Sequence, residues 1–220
     1  MFATKERRRL QTTEDYPRPE GQISETTPAT TGETGMSAAP EDEYAAEVSV
    51  VIPSYNEAES LPELSARLKE VLSPISERWE VWFIDDGSSD DSFAVMRHLH
   101  DADHRFKAVR FRRNYGKSAA LAVGFQEAEG RYVITMDADL QDDPAEIPAL
   151  IAKIEEGWDM VSGWKKKRYD PISKTIPSRF FNFVTGRMSG INIHDFNCGL
   201  KAYRHEVVKS VNVYGEMHRY

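Results

Sequence analysis

From residue 47 onward, short apolar runs alternate with stretches whose apolar residues recur at helical spacing. The β-branched and aromatic runs predict buried strands at Glu47–Pro53, Glu80–Asp85, Lys107–Phe111 and Tyr132–Asp137, with a shorter one at Asp159–Ser162. The intervening stretches predict helices at about Glu57–Leu72, Asp91–His100, Lys117–Ala128 and Ala145–Glu155, and a last strand and helix follow around Leu200–Val211. This alternation predicts an α/β domain, a mostly parallel sheet flanked by helices.

The first 46 residues show neither a strand nor a helix period and are rich in Thr, Glu, Pro and Gly. We therefore expect a disordered tail over residues 1–46 and one folded domain over residues 47–220.

The single cysteine, Cys198, excludes an internal disulfide framework. No run approaches the roughly 18 apolar residues of a membrane-spanning helix, and the first residues lack the apolar segment of a secretory signal.

Charge is distributed unevenly along the chain, whose formal net charge is -8. Residues 1–47, 48–161 and 162–220 carry -5, -10 and +7. An acidic body argues against a general nucleic-acid binder, whereas one basic end favours a local anionic partner such as a phosphate or a lipid surface. A solvated basic face is the alternative interpretation.

Polar clusters follow three of the predicted strands, at the edge where parallel sheets bind ligands. Asn56, Ser89 and the Asp86-Gly87 turn also suit helix caps and tight turns. Asp137 and Asp139 are harder to explain as structural, because two neighbouring carboxylates repel each other without a cation. Such oxygen ligands suit Mg²⁺ or Mn²⁺, completed by a substrate diphosphate. The chain has neither the phosphate loop nor the dinucleotide glycine motif.

Seven motifs then occur in a characteristic order over residues 48–220. They are VVIPSYNEAESLPEL, IDDGSSDDS, FRRNYGKSAALAVGF, MDADLQDDPAEIPALI, VSGWKKKRYDP, SRFFNFVTGRMSG and HDFNCGLKAYRHEVV. Together they resemble those of family 2 glycosyltransferases of the GT-A fold, specifically the polyprenyl-phosphate glycosyltransferases that include dolichol-phosphate mannose synthases. The resemblance implies an inverting transfer of sugar from a UDP- or GDP-sugar to undecaprenyl or dolichyl phosphate.

The resemblance also assigns donor-binding roles to individual residues. Base and ribose would be held by Pro53, Tyr55, Glu57 and Asp86, and Lys117 and Asp137 would lie near the nucleotide. A carboxylate suits the hydrogen bonds that base N–H and ribose hydroxyl groups donate. A solvated lysine at a helix start is the alternative for Lys117. Asp137, Asp139 and Gln141 match the Asp-x-Asp-x-Gln metal motif for Mg²⁺ or Mn²⁺.

On the acceptor side, the resemblance places phosphate-binding cations at Lys165, Arg168 and Arg179, within a wider basic run. Fixed cations stabilise charge that develops on a leaving group. Asp195 matches the usual position of the catalytic base. A phosphate monoester is already anionic near neutral pH, with a second pKa of about 6, so a base is not obligatory. Sugar binding, phosphate orientation or a structural hydrogen bond are the other roles open to Asp195.

The segment 176–188 combines phenylalanines with arginines at helical spacing. It suits either an interfacial helix on a membrane or a core-packing helix. The resemblance implies a protein at the cytoplasmic side of the membrane, peripheral in this chain, and integral if transmembrane helices follow Tyr220. It is also compatible with a homo-oligomer. A soluble sugar or polysaccharide acceptor, or an inactive nucleotide-sugar-binding fragment, are the alternative functions.

Overall fold

The computed structural model describes residues 44–163 and 198–210. Its strands are β1 Ala46–Ser54, β2 Trp79–Asp85, β3 Phe106–Arg110, β4 Gly130–Thr135, β5 Met160–Ser162 and β6 Lys201–Arg204. Its helices are α1 Leu61–Leu72, α2 Ser92–Ala102, α3 Lys117–Glu127, α4 Ile147–Glu155 and α5 His205–Ser210, and a 3-10 turn at Pro144–Glu146 precedes α4. Residues 1–43 of the expected N-terminal tail lie outside this part of the chain.

The strands form one sheet in the order β3-β2-β1-β4-β6-β5. β1 pairs in parallel with β2 on one side and with β4 on the other, and β2 pairs in parallel with β3. β6 runs antiparallel to both β4 and β5. The prediction of a mostly parallel sheet flanked by helices is therefore confirmed.

Side chains of the central strands alternate between two apolar layers. In β1, Val48, Val50 and Ile52 are fully buried on the face covered by α1, α2 and α4. Val51 points to the opposite face, which α3 and α5 cover. Because both faces are packed, the strands are near-continuous apolar runs rather than alternating ones, as parallel sheets require. The polar chemistry of the domain is consequently left to the edges where strands end.

Among the element boundaries that differ from those the sequence predicts, two matter for the site. α1 begins at Leu61 and not at Glu57, because the amides of residues 56–58 donate to side chains of Ser88, Ser92 and Asp90. β4 ends at Thr135 and not at Asp137, which therefore lies in the loop after the strand. Among the described residues, no helix has both the length and the apolar character needed to cross a bilayer.

A buried carboxylate joins the amino-terminal parts of the four parallel strands. Glu80 in β2 is 3% exposed and accepts hydrogen bonds from the Ser49 hydroxyl and from the Glu129 amide at 2.9 Å. Its second oxygen accepts from the Lys107 ammonium in β3 at 2.8 Å. The Ser49 hydroxyl in turn accepts from the Gly130 amide at 2.8 Å. This network ties the four strands together at the end of the sheet opposite the polar clusters.

We expect Glu80→Ala to lower the free energy of unfolding by about 3 kcal/mol, because it removes the acceptor of a buried ion pair and of an inward-facing amide. Glu80→Gln should lose less, since it keeps the shape and one acceptor oxygen. Urea denaturation at neutral pH measures both changes, with Glu70→Ala on the exposed face of α1 as the matched control. Equal losses for Glu80→Ala and Glu70→Ala would contradict the structural role of this network.

Candidate functional site

The polar clusters of three adjacent strands meet at one edge of the sheet. Ser54 pairs with Asp85 across β1 and β2, and Val51 pairs with Thr135 across β1 and β4. The residues that follow these strands are therefore neighbours, as the sequence predicts for parallel strands. Pro53 and Glu57 are partly exposed at this edge, and the Tyr55 side chain is 47% exposed.

Hydrogen bonds join the loop after β1 to the loop after β2. Asn56 adopts a left-handed backbone with φ of 59°, and its side-chain oxygen accepts from the Ser89 amide at 2.9 Å. The Asn56 amide donates to the Ser88 hydroxyl at 2.9 Å, and the Glu57 amide donates to the Ser92 hydroxyl at 2.7 Å. Neither Asn56 nor Ser89 caps a helix: the residues before α1 and α2 are Ser60 and Asp91. These side chains instead hold the two loops in one arrangement.

The carboxylate of Asp86 organises the loop that leads into α3. Its two oxygens accept from the amides of Tyr115 at 2.7 Å and Gly116 at 2.9 Å, while its own amide donates to the Ser54 carbonyl. Asp86 is 5% exposed, and burial raises its pKa, although the two amide bonds oppose that effect. The neighbouring Asp85 raises the pKa further. Each oxygen keeps a second lone pair for a ligand.

The turn that carries Asp86 has room only for a glycine at the next position. Gly87 has φ of +74°, and a Cβ there would lie 2.5 Å from the Arg113 carbonyl carbon. The loop before α3 therefore packs directly on the turn. A cleft of about 490 Å³ opens beside it, lined by Gly87, Ser88, Arg110, Phe111 and Arg112. Its lining includes none of the predicted site residues that lie within residues 44–163 and 198–210.

Asp137 and Asp139 lie together after β4, as predicted, and both are accessible. Asp137 is partly exposed and accepts a hydrogen bond and ion pair from the Lys117 ammonium at the start of α3. Asp139 is exposed and accepts from the Gln141 amide at 3.1 Å, with Leu140 between them at φ of 61°. Lys117 therefore contacts the acidic loop and is not simply a solvated lysine.

This loop fits a divalent cation only when the cation is shared with a ligand. Within residues 44–163 and 198–210, no group of three or more His, Cys, Asp and Glu residues is arranged to hold a metal. Two accessible carboxylates supply two hard oxygen ligands, and Mg²⁺ or Mn²⁺ takes its remaining positions from water and phosphate. The chemistry of Asp137 and Asp139 agrees with that arrangement.

Sequence reasoning missed one buried acid of this loop. Asp142 is 3% exposed, and one of its oxygens lies 3.5 Å from the Asp137 amide. It follows Gln141 directly, where an acidic run is naturally interpreted as a solvated turn. A signal was nevertheless present: Pro144 and the apolar helix that follows return the chain to the core within two residues.

The predicted acceptor half of the site lies outside the described residues. Lys165, Arg168, Arg179 and the proposed base Asp195 all fall between residues 164 and 197. The aromatic and basic segment 176–188 falls there as well. The described residues therefore include the positions predicted to bind the donor, which lie in and after β1, after β2 and β4, and at the start of α3.

Known proteins match most of this chain. A profile for "Glycosyl transferase family 2" matches residues 49–211. An undecaprenyl-phosphate 4-deoxy-4-formamido-L-arabinose transferase of Pseudomonas syringae is 41% identical over 165 residues, which cover 74% of this chain and 49% of that protein. A dodecaprenyl-phosphate galacturonate synthase of Rhizobium johnstonii is 37% identical over 177 residues, covering 79% of this chain and 52% of that protein. The chain thus spans about half the length of these curated relatives.

Among solved structures, glucosyl-3-phosphoglycerate synthase from Mycobacterium tuberculosis matches with a TM-score of 0.57 at 21% identity. The match covers 76% of this chain and 59% of that one, which was crystallised with Mn²⁺, UDP-glucose and phosphoglyceric acid. At this level of identity the likeness concerns the fold.

We expect Asp86 to titrate above the ordinary aspartate pKa of 3.8, since burial outweighs its two amide bonds. Carboxyl ¹³C shifts of aspartate-labelled protein measure this. Asp90, whose pKa is lowered chiefly by the Ser92 hydroxyl, should titrate below 3.8 in the same spectra. A raised folded-state pKa means that Asp86 contributes stability below its unfolded pKa, and that this contribution is lost as pH rises through the folded value. Titration of Asp86 below Asp90 would contradict the assignment.

Proposed function

Because the chain belongs to glycosyl transferase family 2 and adopts the GT-A fold, we propose that it transfers a sugar from a nucleoside diphosphate sugar to a polyprenyl phosphate. The acceptor class rests on the two curated relatives, whose names specify undecaprenyl and dodecaprenyl phosphate. The whole protein's activity, sugar and partners are part of the proposal, since this chain spans about half of those relatives.

The observation that carries the proposal is the accessible pair Asp137 and Asp139 beside the Lys117 ammonium. Acids with a purely structural role would be buried with their oxygens hydrogen-bonded, as Glu80 is, or would be fully solvated and away from other loops. This pair instead lies at the edge where parallel sheets bind ligands. Two carboxylates and one ammonium group suit a diphosphate that arrives with a divalent cation.

Under this proposal, each predicted donor-site residue that the structure describes has its own role in donor binding. Tyr55 supplies an exposed aromatic face for the base, and Pro53 at the end of β1 and Glu57 in the following loop flank it in sequence. Asp86 accepts from base or ribose hydrogens through its remaining lone pairs. Asp137, Asp139 and Gln141 hold Mg²⁺ or Mn²⁺, which supplies Lewis-acid neutralisation of the diphosphate when bound. Lys117 adds a cation on the same side.

The acceptor half of the proposal rests on the sequence alone. Lys165, Arg168 and Arg179 bind the acceptor phosphate, and Asp195 orients it or accepts a proton. Since the phosphate monoester is already anionic, the nucleophile attacks the anomeric carbon as the nucleoside diphosphate leaves, which inverts that centre. A membrane surface presents this acceptor, and the aromatic and basic segment 176–188 is the part of the chain suited to contact it.

We expect Asp139→Ala to lower sugar transfer by about a hundredfold or more, the scale of losing one group that stabilises transition-state charge. Radiolabelled UDP- and GDP-sugars are tested in turn with short polyprenyl phosphate, with Mg²⁺ or Mn²⁺ and with EDTA. EDTA should abolish transfer by the unaltered chain. Asp91→Ala is the matched control, since Asp91 is an exposed acid at the same edge whose side chain caps no amide.

Three outcomes of that assay would contradict parts of the proposal. Transfer to a soluble sugar and not to polyprenyl phosphate would overturn the acceptor class. Nucleotide binding without any transfer would favour an inactive binding domain. Transfer that survives both EDTA and Asp139→Ala would exclude the metal role of the acidic pair.

We expect Lys117→Met to weaken nucleotide binding about tenfold, the usual effect of losing one charged hydrogen bond to phosphate. Isothermal titration with UDP and with GDP, each in the presence of Mn²⁺, measures the affinity. Lys153→Met provides the control, because Lys153 forms only a surface ion pair with Glu156 on α4. Unchanged affinity in Lys117→Met would restrict Lys117 to holding Asp137.

A further inference from the structure

Gly199 lies against the carboxylate of Asp137. A Cβ built on Gly199 would be 2.6 Å from both Cγ and Oδ2 of Asp137, and 2.9 Å from Oδ1. Ordinary van der Waals contacts of a Cβ are 3.4–4 Å. The carboxylate therefore occupies the space that any side chain at residue 199 would need.

The main chain fixes Gly199 in this position. The Thr135 hydroxyl at the end of β4 donates to the Gly199 carbonyl at 2.9 Å. Thr135 also pairs with Lys201 across β4 and β6, and the Leu200 carbonyl accepts from the Gly163 amide at 2.9 Å. Residue 199 is thus held from both sides by the end of the sheet.

Backbone conformation does not explain the glycine. The described glycines with φ between +20° and +160° are Gly87, Gly116 and Gly157, and Gly199 is not among them. An alanine is compatible with the backbone of residue 199, so the constraint is the space beside Asp137. The clashing atoms belong to the end of a side chain that can rotate, and a methyl group would displace the carboxylate more easily than the sheet.

We propose that Gly199 is a positioning residue for Asp137: because Gly199 has no side chain, the main chain just before β6 can lie against the Asp137 carboxylate and hold it in place for the shared cation. The inference rests on the proposed function for the cation, but the contact itself does not. Gly199, in the later described range of residues 198–210, thereby controls the position of a carboxylate in the proposed donor site.

The test compares the unaltered chain with Gly199→Ala in two measurements. A ligand-free crystal structure of Gly199→Ala should show the Asp137 carboxylate rotated away from its place beside residue 199. Mn²⁺ affinity in the presence of UDP, and separately of GDP, should fall about 10–100-fold, the usual effect of altering a group that orients a metal ligand. In the Asp137→Ala background the same change should cause no further loss of affinity.

Gly157→Ala is the matched control, because a Cβ there meets nothing within 4 Å and the effect is backbone strain alone at φ of +109°. It should leave both measurements unchanged. An unmoved Asp137 carboxylate in Gly199→Ala, or unchanged Mn²⁺ affinity, would overturn the inference. If Gly199→Ala fails to fold, a folded Asp137→Ala/Gly199→Ala double variant supports the inference and an unfolded one overturns it. If the unaltered chain binds no Mn²⁺ with either nucleotide, the metal proposal fails and the carboxylate position alone decides.

Discussion

Parallel pairing of β1 with both β2 and β4 is the constraint on which the site depends. It brings the loops that follow three strands to one edge, although they are separated by about 30 to 80 residues in sequence. The Glu80 network joins the same strands at the opposite end of the sheet. The length of each strand then determines where its following loop begins. The apolar layers on both faces leave these edges as the place for polar chemistry.

The acids at this edge divide into two groups by the hydrogen bonds that they accept. Asp86 and Asp90 accept from backbone amides and fix the loops after β1 and β2. Asp137 and Asp139 are more accessible: Asp137 pairs with the Lys117 ammonium group, and Asp139 accepts from the amide of Gln141 within its own loop. A carboxylate bonded to backbone amides loses those hydrogen bonds at a high cost in free energy. A carboxylate paired with a half-exposed lysine ammonium exchanges that partner easily. The second group is therefore suited to a cation and a diphosphate that arrive and leave.

The sequence predicts most of the fold because the spacing of its apolar residues matches the faces that the strands and helices bury. It predicts the acidic loop because two carboxylates at a strand end are chemically unusual. It does not predict that α1 begins at Leu61, since this depends on Ser88, Ser92 and Asp90, which lie more than 25 residues away along the chain. The contact between Gly199 and Asp137 is equally invisible, because it joins residues 62 positions apart through the register of β4 and β6. Local patterns specify elements, whereas contacts between distant loops require the topology.

The reversed direction of β6 explains why a late residue reaches this edge at all. A parallel strand beside β4 would end there and direct its following loop to the edge, whereas β6 begins there and brings the residues before it. Gly199, two residues before β6, is therefore a neighbour of Asp137. The hydrogen bond from the Thr135 hydroxyl to the Gly199 carbonyl consequently holds the main chain before β6 beside the Asp137 carboxylate.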